Sequence, residues 1–368
     1  MENKIKTLAD TIVNHSIKVE KDENVKIIME TIEPMDLVKE IVKLINDKGA
    51  NCDVDIIYDD LNSLIGKGTT DKKIDLLREK EKFNVDNFDS FIRICCNIGD
   101  YNSNIVPDEI TKKIGNALKE YRDIRTNKRK WVLLNYPSLV DSNKAHMNID
   151  SFKEFSFNAM CYDYEQMEQD LKPLKELMEK TDKVRLTGVG TDITFSIKDI
   201  PAIPCSGECN IPDGECFTAP VKDSINGVIK YNTPSPYRGK VFHGVTLEFK
   251  DGKIIKATCD EDDTELNKIF DSDEGARYVG EFSIGTNPMI REPMGDILFD
   301  EKIIGSIHFT PGACYDEAPN GNTSSIHWDM VLIQREDYGG GSIYFDDKLI
   351  RENGIFVIDE LKHLNYKK

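Results

Sequence analysis

Over residues 24–136, short apolar runs alternate with helical patterns. Val25-Lys26-Ile27-Ile28-Met29, Val54-Asp55-Ile56-Ile57-Tyr58, Phe91-Ile92-Arg93-Ile94-Cys95 and Trp131-Val132-Leu133-Leu134 each read as a buried strand. Between the first two, Pro34 opens a segment with Leu37, Val38, Ile41, Val42, Leu44 and Ile45 on one helical face. Lys48-Gly49 ends it, a normal stop signal. Strand, helix and strand repeated in this way predict a parallel sheet with helices on its faces. Ahead of them, Ile5, Leu8, Ala9, Ile12 and Val13 lie at helical spacing among charges, which predicts an amphipathic helix and lacks the apolar core of a signal peptide.

Residues 151–181 are helical again, with Met167, Leu171, Leu174 and Leu177 spaced for one face. After Thr181-Asp182 the pattern changes. Val184–Thr187, a turn at Gly188–Gly190 and Ile193–Ile197 predict a hairpin. Strand-sized runs then dominate (228–231, 245–249, 254–257, 303–309, 330–333, 342–345 and 355–358), with one helical interval near 264–272. The expected organisation is an α/β N-terminal domain with a parallel sheet, residues 1–182, followed by a β-rich α+β C-terminal domain, residues 183–368.

Composition narrows the functional classes. Hydrophobic residues make up 39% of the 368 and charged residues 31%, enough to bury two ordinary cores. The 48 Lys+Arg against 66 Asp+Glu give a net charge of −18, which argues against nucleic acid and against an anionic membrane surface. A small molecule or peptide is the better partner. No window approaches the run of about 20 apolar residues that crosses a bilayer. Nine scattered cysteines, an odd number that includes the adjacent Cys95-Cys96, suit reduced thiols and hence a cytoplasmic protein.

Two of the six histidines lie in short apolar runs of the second domain, in Ser306-Ile307-His308-Phe309 and Ser325-Ile326-His327-Trp328-Asp329. On a strand, His327 and Asp329 project to one face while Trp328 packs on the other, so an imidazole and a carboxylate can reach one cation. An isolated His-x-Asp is more often the signature of a buried histidine bonded to its neighbour. Glu215 and Glu281 tip the balance. Each follows a glycine in a strand-like or turn context, and a carboxylate among apolar residues stays ionised only with a partner. Two histidines and three carboxylates suffice for two divalent ions that share a bridging carboxylate. Cys205-x3-Cys209-x6-Cys216 lacks a fourth ligand for a zinc knuckle, and Gly188-x-Gly190-Thr191-Asp192 lacks the third glycine of a dinucleotide loop.

Four segments in order, Asn210–Pro220 (NIPDGECFTAP), Gly280–Gly285 (GEFSIG), Gly305–Tyr315 (GSIHFTPGACY) and His327–Asp329 (HWD), resemble the successive motifs of the aminopeptidase T/aminopeptidase S family of two-metal exopeptidases. The resemblance implies metal ligands at Glu215, Glu281, His308, His327 and Asp329, with Glu215 and Tyr315 in catalytic roles. It departs from the family at Cys216, where a β-branched residue is commoner, and at Phe282-Ser283, in place of a more apolar pair. Neither position is a ligand.

The expected function is therefore removal of N-terminal residues from short peptides with a free N-terminus. Two divalent ions (zinc, cobalt, manganese or magnesium) would activate the water. The resemblance further implies a homodimer in which the α/β domain walls the cleft. The rival is a mononuclear non-haem iron dioxygenase using His308, His327 and Asp329 as a 2-His-1-carboxylate triad. Such a triad has no use for Glu215 and Glu281, which favours the hydrolase.

Overall fold

In the computed structural model, which describes residues 1–99 and 106–366, the four apolar runs of the N-terminal half do form neighbouring parallel strands. The order is Asn51–Ile56, Asn24–Met29, Ser90–Cys95, Lys130–Asn135. Parallel neighbours need crossover connections, and the helices Met35–Asp47, Asp71–Asn87 and Asp108–Lys128 lie in them. Met35–Asp47 buries Leu37, Val38, Ile41 and Ile45, the face expected from its spacing. A fifth strand, Asn210–Ile211, pairs parallel to Lys130–Asn135 although it comes from far along the chain.

One expected strand is not buried. The run around Val54 forms the outer strand Asn51–Ile56, with Val54 36% and Ile56 49% exposed. Its aspartates alternate with apolar residues, the pattern of a half-solvated strand. Lys26, buried on the adjoining strand, contacts both Asp53 and Asp55. At the N-terminus the helix Glu2–Asp10 runs on as a wider π-turn over Thr11–Ser16 and buries Leu8, Ala9, Ile12 and Val13.

The chain divides into two compact units, Met1–Tyr164 with Gly207–Pro212, and Glu165–Ser206 with Asp213–Lys368. The helix Tyr164–Lys180, apart from its first residue, thus groups with the second unit, so the division falls earlier than 182. It buries Met167, Leu171, Leu174 and Met178, with Met178 in place of the expected Leu177.

The second unit contains an eight-stranded and a five-stranded antiparallel sheet. The expected hairpin is present as Lys183–Gly188 and Thr191–Ser196, in the larger sheet. The smaller sheet has the order Val331–Ile333, Ser306–Pro311, Val279–Gly285, Glu215–Thr218, Ile203–Cys205. Phe282 and Phe309 on one of its faces meet Phe195 of the larger sheet at ring distances of 5.0 and 5.1 Å. The Tyr231 hydroxyl donates to the Phe309 carbonyl at 2.8 Å. These contacts make the core of the unit and leave the other face of the small sheet for polar groups. No helix among the described residues is long and apolar enough to cross a membrane.

Candidate metal centre

Strand register decides which side chains meet. Glu281 pairs with Thr310, Ser283 with His308 and Phe217, and Gly285 with Glu215. Residues opposite one another in antiparallel strands share a face, as do residues two apart along a strand. Glu215, Glu281, Ser283, His308 and Thr310 therefore project together, and all five are buried. Between them on the opposite face lie Cys216, Phe282, Ile307 and Phe309.

The HWD segment is not part of a strand. Regular pairing begins at Val331, and His327 makes only an isolated bridge to Gly312. Extended backbone keeps its two-residue period without a ladder, so His327 and Asp329 still lie together, Nε2 to Oδ1 at 3.2 Å. Trp328 points away into a nest of Tyr237, Phe242 and Phe270.

All five expected residues converge, in two triplets that share Glu281. Oε1 of Glu281 lies 3.0 Å from Nε2 of His308, while its Oε2 lies 3.2 Å from Nε2 of His327. Glu215 Oε2 stands 3.4 Å from His308 Nε2. Ligand atoms around a tetrahedral ion with bonds of about 2.1 Å are about 3.4 Å apart, close to these separations. Each imidazole is fixed from behind: Nδ1 of His327 donates to the Ala313 carbonyl at 2.8 Å, and Nδ1 of His308 donates to the Glu301 carbonyl at 3.3 Å. With Nδ1 so engaged, each Nε2 is the nitrogen turned toward the carboxylates, the usual arrangement behind metal-bound histidines. The buried Nε2 of His327 has no well-directed hydrogen bond despite its two carboxylate neighbours. A nitrogen so placed fits a cation between the groups.

The carboxylates are held in turn. Ser283 Oγ donates to Glu215 Oε2 at 2.9 Å, and Thr310 Oγ1 donates to Asp329 Oδ1 at 2.8 Å. Burial opposes charge throughout the cluster, but its members offset one another. Burial would lower the His308 pKa, yet the Glu215 and Glu281 carboxylates raise it to about 10. His327 is raised well above its ordinary value against burial, chiefly by Asp329. Glu281 is lowered against burial by His308, and Asp329 against burial by His327. Without metal, protons hold these carboxylates together; a divalent ion bound here would take their place.

Three neighbours were not singled out by the sequence. Glu301 has a carboxylate oxygen within 4.8 Å of ligand atoms of both His308 and Asp329. Burial raises its pKa to about 8, even against the nearby Lys302. Lys302 is 1% exposed and donates to Glu215 Oε1 and Glu301 Oε1, both at 2.6 Å. Asp213 lies 3.7 Å from the same ammonium and forms a third close group with Cys205 and Glu215. The available signal was the trio Asp300-Glu301-Lys302, charged yet set between the apolar Ile297-Leu298-Phe299 and Ile303-Ile304. Tyr315, 45% exposed, packs against the His327 ring at 4.6 Å and Phe217 at 5.5 Å. Cys205 pairs with Glu215 and so shares its face, whereas Cys216 lies on the opposite, core face, so the three-cysteine cluster is not assembled.

The chain belongs to the thermophilic metalloprotease (M29) family, whose model matches residues 1–355. Among curated relatives, Aminopeptidase 2 of Geobacillus stearothermophilus is 40% identical over 75 residues, 20% of this chain and 18% of that protein. Aminopeptidase T of Thermus thermophilus is 31% identical over 143 residues, 34% of this chain and 35% of that one. Aminopeptidase PepS of Streptococcus thermophilus is 28% identical over 173 residues, 40% and 41% of the two chains. The aligned stretches thus span less than half the length of these relatives. The solved structure of wild-type AmpT from Thermus thermophilus superposes with a TM-score of 0.78 at 19% identity, covering 97% of this chain and 100% of that one. It bears out the fold, a parallel α/β region followed by a β-rich one.

Proposed function

We propose that the protein is a metal-dependent aminopeptidase that hydrolyses the N-terminal residue from short peptides through a water activated by two divalent ions. The observation that carries the proposal is Glu281, which turns one oxygen to each of two imidazole-anchored donor sets. Glu215 and His308 complete one set, and His327 and Asp329 the other. This arrangement speaks against the mononuclear iron dioxygenase, because among the described residues no close group unites both imidazoles with Asp329; His308 and His327 fall in different groups, each with two carboxylates.

Bound divalent ions would bring the pKa of a water toward neutrality and polarise the scissile carbonyl. The residues of the chain supply the rest. Ser283 and Lys302 keep Glu215 oriented, Thr310 keeps Asp329 oriented, and the Ala313 and Glu301 carbonyls set the two imidazoles. Glu301, with a pKa of about 8 that a nearby cation would lower toward neutrality, is the carboxyl able to hold a proton beside His308 and Asp329. Although the side chain is half exposed, desolvation around its hydroxyl and the surrounding carboxylates keep the Tyr315 phenol neutral and hence a donor, suited to a developing oxyanion. The free α-amine of the substrate would meet a cation or carboxylate at the same centre, which accounts for the requirement for an unblocked N-terminus.

Cytoplasmic location and a homodimer are part of the proposal, the first on the odd cysteine count and the second on family resemblance. The test pairs metal analysis with hydrolysis of leucyl peptides. Two equivalents of metal and cleavage of the unblocked peptide alone are expected; equal cleavage of the acetylated peptide, or one iron with oxygen uptake, would refute it.

A further inference from the structure

Lys302 is a buried ammonium inside a carboxylate cluster, and nothing in the peptidase chemistry requires a third positive charge there. The carboxyl groups of Asp213, Glu215 and Glu301 all lie within 4 Å of this one ammonium, so a fixed cation already serves one side of the cluster, where burial makes an unbalanced carboxylate costly.

The ammonium is also off centre. Among the described contacts it touches Glu215, Glu301 and Asp213, and of the five expected ligands it touches Glu215 alone. The two donor triplets otherwise match, each with an imidazole, a share of Glu281 and one outer carboxylate. They differ in what holds that outer carboxylate. Each accepts from a neutral hydroxyl, Thr310 for Asp329 and Ser283 for Glu215, but Glu215 accepts from the Lys302 ammonium as well. An ion at Glu215 and His308 therefore sits beside a like charge and draws on a carboxylate already shared. An ion at His327 and Asp329 does neither.

We propose that Lys302 is a positioning residue acting as a resident cation: it makes the ion beside His308 the weaker and more exchangeable of the pair, and it holds Glu215 and Glu301 in place when that ion leaves. The proposal rests on the two-ion reading above. The test is a competitive titration of the metal-free full-length protein with Mn²⁺ or Zn²⁺ against a chromophoric chelator, with no peptide present. Wild-type protein is expected to show two binding events at least tenfold apart in affinity. His308→Ala should remove the weak event and His327→Ala the tight one. Lys302→Met, similar in length but uncharged, should tighten the weak event at least tenfold and slow its loss to chelator.

Loss of the tight event in His308→Ala would overturn the proposal. So would a folded Lys302→Met protein whose weak event is unchanged or weaker. Should Lys302→Met fail to fold, the two histidine variants decide the matter with the native lysine in place. A single event in the wild-type protein would overturn the two-ion reading and the proposal with it, whereas two events assigned in the opposite order would overturn only the proposal.

Discussion

Replacing Gly280 by alanine tests how the centre is supported. Gly280 precedes Glu281, which faces both imidazoles, at the point where the pairing of Val279–Gly285 with Ser306–Pro311 shifts register. A Cβ built there would lie 2.1 Å from the Ala313 carbonyl oxygen, where real Cβ contacts stay beyond about 3.0 Å, so the carbonyl or the strand must move by roughly 0.9 Å. That carbonyl accepts the Nδ1–H of His327 at 2.8 Å. A shift of that size carries the pair out of hydrogen-bonding range and frees the imidazole to turn. Losing the group behind a metal-binding histidine costs about 10- to 100-fold in metal affinity, or about 1.4 to 2.7 kcal/mol. Chelator competition against wild type measures this directly, and denaturant unfolding of the metal-free forms separates it from general destabilisation. Gly115→Ala is the control: nothing lies within 4 Å of its would-be Cβ, and in the helix Asp108–Lys128 alanine should stabilise by up to about 1 kcal/mol without affecting metal. If Gly280→Ala bound metal as tightly as wild type, the link from Gly280 through Ala313 to His327 would be refuted.

Two further outcomes are expected. Glu281→Gln keeps the size of the side chain but gives up one carboxylate oxygen, so bound metal should fall to at most one ion per chain and hydrolysis by at least about 1000-fold, with the circular dichroism unchanged; full activity in this variant would remove Glu281 from the centre. In metal-free protein both imidazoles titrate above their ordinary value, so the stability they contribute is complete below about pH 6.5 and is lost as pH rises through about 10 for His308. The melting temperature of chelated protein should therefore fall between pH 7 and 10, and metal uptake at pH 7 should release protons, as measured by calorimetry in buffers of different ionisation enthalpy; a flat melting profile with no proton release would contradict the charge states given to His308 and His327.

The convergence of the five side chains was legible because strands impose a two-residue period and because charge among apolar residues is conspicuous. Glu215 and Glu281 stood out for that reason, and His327-x-Asp329 kept its geometry although the segment is extended chain without a ladder. Gly214 and Gly280, noticed only as residues before glutamates, have physical tasks: Gly214 has φ of +129° against Asn287 and Met167, and Gly280 lies against Ala313. Glu301 and Lys302 were missed because adjacent opposite charges before a strand read as a solvated turn, and only tertiary packing buries them. The run at Val54 was misjudged for the converse reason. Its apolar residues suggested a central strand, while the alternating Asp53 and Asp55 recorded its place at the margin of the sheet.

The hexapeptide Gly207–Pro212 makes the two units inseparable by simple cutting. The chain leaves the second unit after Ser206, adds Asn210–Ile211 to the sheet of the first, and returns at Asp213, two residues before Glu215. A fragment beginning at Glu165 would retain the whole imidazole and carboxylate cluster yet carry a strand with no sheet to join. Such a half would not behave as a transplantable module, and its loop to Glu215 would be untethered at one point.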